Sequence, residues 1–156
     1  MTSEQANTSR RQKIMPLVQQ PGGLLKALHA LQNASPEHFL APSDLKLVAE
    51  VFGVPEAKVW GTATFYSLFS TTPRGRYIIR VCESAPCYVV GAMDILKTLE
   101  ETLNVKPGET TGDGRFTLEV ASCLGVCGVA PALMIDMHVH GNLTRDKLSA
   151  ILAEYA

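Results

Sequence analysis

The sequence predicts an α/β domain preceded by a set of short helices. Apolar residues recur at helical spacing between Gly22 and Phe65, and a turn-forming break follows at Thr72-Pro73-Arg74-Gly75. Beyond that break, alternating stretches and helical stripes succeed one another. The expected divisions are 1–21, a flexible N-terminal tail; 22–73, a helical domain; and 74–156, the α/β domain.

Residues 1 to about 20 lack periodicity, which is the basis for expecting a mobile tail. Leu24, Leu28 and Leu31 then mark a helix that stops before Pro36. Ser43 is the expected N-cap of a second helix, with Leu45, Val48, Ala49 and Phe52 on one face and Gly53 as its stop. Pro55 suits the first turn of a third helix, running to about Phe65. Helices this short are marginal alone and must pack together.

After the break, Tyr77, Ile79 and Val81 alternate in a strand that runs into Cys82. Val89, Ala92, Met93, Leu96, Leu99 and Leu103 form a helical stripe ending before Pro107-Gly108. Phe116, Leu118 and Val120 make a second strand, which delivers Cys123. Leu133, Ile135 and Met137 read as a third, separated by a turn at Gly141-Asn142 from a last helix capped by Thr144. That helix buries Leu148, Ile151, Leu152 and Tyr155. The order β-α-β-β-α suits a small sheet whose first two strands are joined by a helical crossover, and a thioredoxin-like half-fold is its simplest form.

Composition narrows the function. A hydrophobic fraction of 46% with 19% charged residues belongs to an ordinary globular chain, and a net charge of -1 disfavours a nucleic-acid binder. The first twenty residues hold no apolar segment of the secretory kind. The longest uncharged run, Val120 to Ile135, is too short and too rich in glycine and proline to span a membrane. A cytoplasmic location is expected, which disfavours structural disulfides and turns attention to metal or redox chemistry.

All 4 cysteines stand in two close pairs: Cys82 and Cys87 in Cys-Glu-Ser-Ala-Pro-Cys, Cys123 and Cys127 in Cys-Leu-Gly-Val-Cys. Structural zinc sites use comparable knuckles, so spacing alone leaves zinc open. A redox disulfide ordinarily uses C-x-x-C at a helix start, and neither pair has that spacing. An iron–sulfur cluster fits best: four thiols suffice for one cluster, and two pairs, one per iron, suit a [2Fe–2S] rhomb. Gly125 and Gly128 allow backbone N–H groups to approach sulfur closely, while Leu124, Val126 and Val129 are expected to shield it from water. Ala130-Pro131 is a candidate cis peptide shaping the same loop.

Three segments together carry a family resemblance: 61–69 (Gly-Thr-Ala-Thr-Phe-Tyr-Ser-Leu-Phe), 80–87 (Arg-Val-Cys-Glu-Ser-Ala-Pro-Cys) and 123–136 (Cys-Leu-Gly-Val-Cys-Gly-Val-Ala-Pro-Ala-Leu-Met-Ile-Asp). They resemble the 24-kDa subunit family, the thioredoxin-like [2Fe–2S] protein of respiratory complex I, with relatives in NAD-dependent formate dehydrogenases and in NAD-reducing or bifurcating hydrogenases. The resemblance covers residues from about 22 to 156. It implies that Cys82 and Cys87 bind one iron and Cys123 and Cys127 the other. It also implies that the helices over about 22–70 contact a larger flavoprotein carrying FMN, the NAD(H) site and its own iron–sulfur cluster. The stretch joining the first two helices, Asn33 to Pro42, departs from the Gly-Tyr-(Ile or Leu)-Pro-like form common among relatives.

Other features receive ordinary readings. No dinucleotide or P-loop glycine motif occurs, so the NAD connection rests on the resemblance. His138 and His140 are expected to face solvent near a turn, Arg74 and Arg76 to be solvated, and Trp60, Phe65, Tyr66 and Phe69 to belong to the core, with an interface role also open to them. Asp94, Glu100 and Glu101 lie on a polar helix face, and no spacing suggests catalytic acid–base or nucleophilic groups. The expectation is an electron-carrying component of an NAD(H) oxidoreductase complex, respiratory, formate-oxidising or hydrogen-oxidising. The competing classes are a free-standing thioredoxin-like ferredoxin and a zinc-stabilised binding module.

Overall fold

Two compact units divide between Pro73 and Arg74 in the computed structural model, which describes residues 3 to 155. The first is helical: α1 (Ser3–Ile14), a single 3-10 turn (Met15–Leu17), α2 (Gly23–Gln32), α3 (Pro42–Phe52) and α4 (Glu56–Phe65). Leu28, Leu31, Leu45, Val48, Val59 and Phe69 belong to its core.

The segment expected to be a tail is a helix. It escaped detection because it is polar on nearly every face: Ile14, fully buried, is its one core anchor among the described side chains. Ion pairs hold the rest, Arg10 to Asp44 at 3.1 Å and Arg11 to Glu50 at 2.9 Å, both partners lying on α3. Residues 1 and 2 lie outside the described residues. The cap of α3 also moves. Ala41 is the N-cap and Pro42 opens the helix, while Asp44 reaches back so that its Oδ2 accepts the Ala41 N–H at 3.1 Å. Ser43 sits inside the first turn.

The aromatic cluster does not form a common core. Phe69 is buried, but Trp60, Phe65, Tyr66 and Leu68 are exposed. Gln32 fixes the stretch that follows α4: its buried amide donates to the Leu68 carbonyl at 2.9 Å and accepts the Ser70 N–H at 2.8 Å.

The second unit is a four-stranded mixed sheet in the order β2-β1-β3-β4. Its strands are β1 (Tyr77–Cys82), β2 (Phe116–Ala121), β3 (Leu133–Ile135) and β4 (His138–His140). The short helix α5 (Ala85–Val89) and α6 (Ala92–Leu103) connect β1 to β2, which run parallel, and α7 (Arg145–Ala153) is the last element. Period-two alternation sends Ile79, Val81, Phe116, Leu118, Leu133 and Ile135 into one core with Leu99 and Leu148. Ile78, Arg80 and Cys82 alternate with Ile79 and Val81 along β1 and so take the other face.

Two details differ from the expected pattern. Leu133, Ile135 and Met137 do not share one strand: Asp136 adopts a left-handed backbone (φ 52), the chain reverses, and His138–His140 pairs antiparallel with β3. Met137 is exposed at this turn, its alternation with Ile135 being incidental. The stripe of α6 is Ala92, Ile95, Leu96 and Leu99, whereas Val89 and Met93 face outward.

Candidate metal centre

Both cysteine loops leave the same end of adjacent parallel strands. Cys82 is the last residue of β1, and Cys123 follows the end of β2, whose Ala121 pairs with Cys82 in register. Two backbone bonds tie the loops to neighbouring strand ends: the Cys82 N–H donates to the Ala132 carbonyl at 3.2 Å, and the Glu83 N–H donates to the Ala121 carbonyl at 3.0 Å. Cys87 projects from α5, a one-turn helix with Ser84 as N-cap and Pro86 in its first turn. Cys127 opens a single 3-10 turn, Cys127–Val129, followed by a cis peptide at Ala130-Pro131.

The first pair is interior and the second is not. Cys82 is 2% and Cys87 1% exposed, packed with Ala92, Leu124 and Ala130, while Cys123 and Cys127 are exposed. Of the three residues expected to shield the site, Leu124 covers the first pair; Val126 and Val129 are half-buried and do not join that packing. All four cysteines are free thiols.

Backbone N–H groups point at three of the four sulfurs. Gly125, at φ 75, donates to Cys123 Sγ at 3.3 Å, a turn that favours glycine. Leu124 and Ser84 donate to Cys82, and Ala132 donates to Cys87. Burial pushes the Cys82 thiol up, but these amides and the Cys87 thiol outweigh it and hold Cys82 below the ordinary cysteine value. Cys87 is pushed up, first by burial and then by its hydrogen bond to Cys82. The inner pair thus shares a hydrogen bond in which Cys82 is the more acidic partner, and metal binding releases the protons of both thiols.

No three His, Cys, Asp or Glu side chains among the described residues converge on a point that would hold one ion. Four cysteines serve a closed zinc site as well as a two-iron cluster, so the ligand types alone do not separate the two. The N–H donors aimed at sulfur are what delocalised thiolate charge requires, so the donor set fits a [2Fe–2S] group. His138 and His140 stay apart from it: His138 is exposed, and His140 Nε2 lies 3.2 Å from the Tyr155 hydroxyl.

The turn around Cys127 is braced from behind. The Asn142 N–H donates to the Val129 carbonyl at 2.6 Å, and the Leu143 N–H donates to the Pro131 carbonyl at 3.1 Å. Gly141 lies so close that a Cβ there would stand 2.5 Å from the Val129 Cβ. Nothing in the cysteine spacing pointed to this brace.

Residues 10–156 match the family described as thioredoxin-like [2Fe-2S] ferredoxin. The chain belongs to that family. The match begins at residue 10, within α1, so the family resemblance reaches further toward the N-terminus than the sequence segments implied. A component of the NADH-quinone oxidoreductase of Salmonella typhimurium is 45% identical over 108 residues, which is 69% of this chain and 65% of that protein. The chain therefore aligns with just under two thirds of that relative. The HndA component of the NADP-reducing hydrogenase of Solidesulfovibrio fructosivorans is 37% identical over 144 residues, covering 92% of this chain and 83% of that one. Among solved structures, an NAD+-reducing [NiFe]-hydrogenase in the air-oxidized state aligns with a TM-score of 0.75 and 27% identity, over 86% of this chain and 23% of that one.

Proposed function

We propose that this chain is the electron-carrying component of an NAD(H)-dependent oxidoreductase complex. In this reading Cys82 and Cys87 ligate one iron of a [2Fe–2S] cluster and Cys123 and Cys127 the other. The observation that carries it is the pairing of thiols on two loops at one end of β1 and β2, with backbone N–H groups on three sulfurs. Family membership and the relatives' names support the same reading.

Such a cluster, when bound, supplies a one-electron couple. The protein's own part is to hold the thiolates, exclude water from the inner pair and leave the outer pair accessible. Burial of Cys82 and Cys87 anchors one side rigidly, and the Leu124, Ser84, Ala132 and Gly125 amides stabilise sulfur charge. Exposure of Cys123 and Cys127 places the other side where a partner can reach it. The partner in this proposal is a larger flavoprotein holding FMN, the NAD(H) site and a further iron–sulfur cluster, and the assembly works on the cytoplasmic side. No described helix is long and apolar enough to cross a membrane.

Anaerobic purification with iron and sulfide analysis and EPR tests the assignment. The expected result is two irons per chain with a reduced-state two-iron signal, lost or strongly diminished in Cys123→Ala and retained in Ser149→Ala. One zinc per colourless chain, or an unaltered two-iron spectrum in Cys123→Ala, would overturn the assignment. Co-purification of a flavoprotein separates the complex component from a free ferredoxin.

A further inference from the structure

Arg74, expected to be solvated, is buried instead, and it belongs to a charged set on the same sheet face as Cys82. Its Nη1 lies 3.0 Å from Glu119 Oε1, while Arg80 Nε lies 3.0 Å from Glu119 Oε2. The side chains of Arg74, Arg80 and Glu119 are 4%, 14% and 22% exposed. Asp136, whose Oδ1 accepts the Ile78 N–H, also acts electrostatically on Arg74. The acids and bases are close to balanced.

Register fixes where this set lies. Arg80 pairs with Glu119, and the next same-face pair along the two strands is Cys82 with Ala121. One such step is about 6.6 Å, two residues at roughly 3.3 Å each. The Arg80 and Glu119 charges are therefore within about 10 Å of the Cys82 end of the sheet. Buried ion pairs seldom add net stability, because desolvation offsets their attraction. Their placement here, out of solvent and beside a redox site, has a different consequence.

We propose that Arg80 and Glu119 set the reduction potential of the cluster held at Cys82, each pulling it in the opposite sense. The inference rests on the ligand assignment above. Reduction adds one negative charge at the site, with no bond made or broken. A nearby cation stabilises that added charge and a nearby anion opposes it. A unit charge about 10 Å away changes the reduction equilibrium about twofold at the dielectric constant of water and about fifteenfold at an effective constant of 20. Limited exposure of the set moves the expectation above the lower figure.

The test is a redox titration of the full chain by EPR, after its two-iron content has been verified. Arg80→Gln is expected to disfavour reduction at least threefold, about 30 mV downward for one electron at 59 mV per tenfold. Glu119→Gln is expected to move the midpoint upward by a similar amount. The double variant Arg80→Gln/Glu119→Gln should return near the starting value, and Arg80→Lys, which keeps the charge, should stay there. Glu101→Gln, nine residues along α6 from Ala92 and so about 13 Å from its start, is the control. Mere loosening of the sheet would move both single variants the same way, and that result would overturn the inference. So would shifts no larger than the control's. If Glu119→Gln fails to fold, Arg80→Gln against Arg80→Lys still decides, since only the first removes charge. A chain without a two-iron signal sinks the ligand assignment and this inference with it; a normal signal with an insensitive midpoint sinks the inference alone.

Discussion

Gly141 shows how a residue with no reactive group can decide the state of a cysteine. A Cβ at this position would meet the Cβ and Cγ2 of Val129 at 2.5 Å and its carbonyl oxygen at 2.7 Å, the same carbonyl that accepts the Asn142 N–H. Gly141→Ala must therefore displace the turn that Cys127 opens. Overpacking of this kind costs about 1–3 kcal/mol. The expected outcome is a lower melting temperature together with altered EPR g-values or reduced iron content, all four cysteines remaining. Gly112→Ala, where a Cβ meets nothing within 4 Å, should leave both readouts unchanged. Equal behaviour of the two variants would show that the brace does not govern the cysteine loop. The cysteines themselves were legible in the sequence because their pairing is a local, side-chain signal. Gly141 was not, because its role is set by a contact with Val129, which its own neighbours in sequence do not reveal.

At the scale of elements, legibility follows how much of an element's stability comes from its own apolar pattern. β1, β2 and α6 were readable because alternation or a helical stripe runs their whole length, as in Ile79, Val81, Phe116 and Leu118. Even there, Met93 matched the stripe by spacing yet is exposed, while Ile95 took the core position. α5 has five residues and no room for a period. α1 hides a helix in polar sequence because one side chain, Ile14, and two ion pairs to α3 do the anchoring. This makes a sharp prediction. Ile14→Ala should destabilise the helical unit by about 2–5 kcal/mol, the usual range for truncating a buried aliphatic side chain. Arg11→Ala, which breaks an exposed pair, should cost less than about 1 kcal/mol. Denaturant unfolding followed by circular dichroism checks both; comparable losses would mean that the ion pairs, not the anchor, hold α1. Gln32→Ala belongs to the same scale. It strips the Leu68 carbonyl and Ser70 N–H of their partner and should cost about 1–3 kcal/mol by the same measurement.

At the scale of the whole molecule, asymmetric burial of the two thiol pairs bears on how the chain works with others. An iron held by Cys82 and Cys87 would sit behind Ala92, Leu124 and Ala130, whereas one held by Cys123 and Cys127 would face solvent. Oxidation and chelation begin with access, so the outer pair is where an isolated chain is vulnerable. The proposed flavoprotein partner must cover that side if electrons are to pass without loss to water or oxygen. Bleaching of the visible absorption in air, and iron release to a chelator, should therefore be faster for the isolated chain than for the same chain in its complex. Replacing Val89, two residues beyond Cys87 and 81% exposed, by Ser, which adds no charge, should leave the isolated chain's bleaching rate unchanged, because the side chain covers nothing in the free protein. If complex formation gave no protection, the outer pair would not lie at the interface, and electron exchange would have to be sought through another face of the cluster domain.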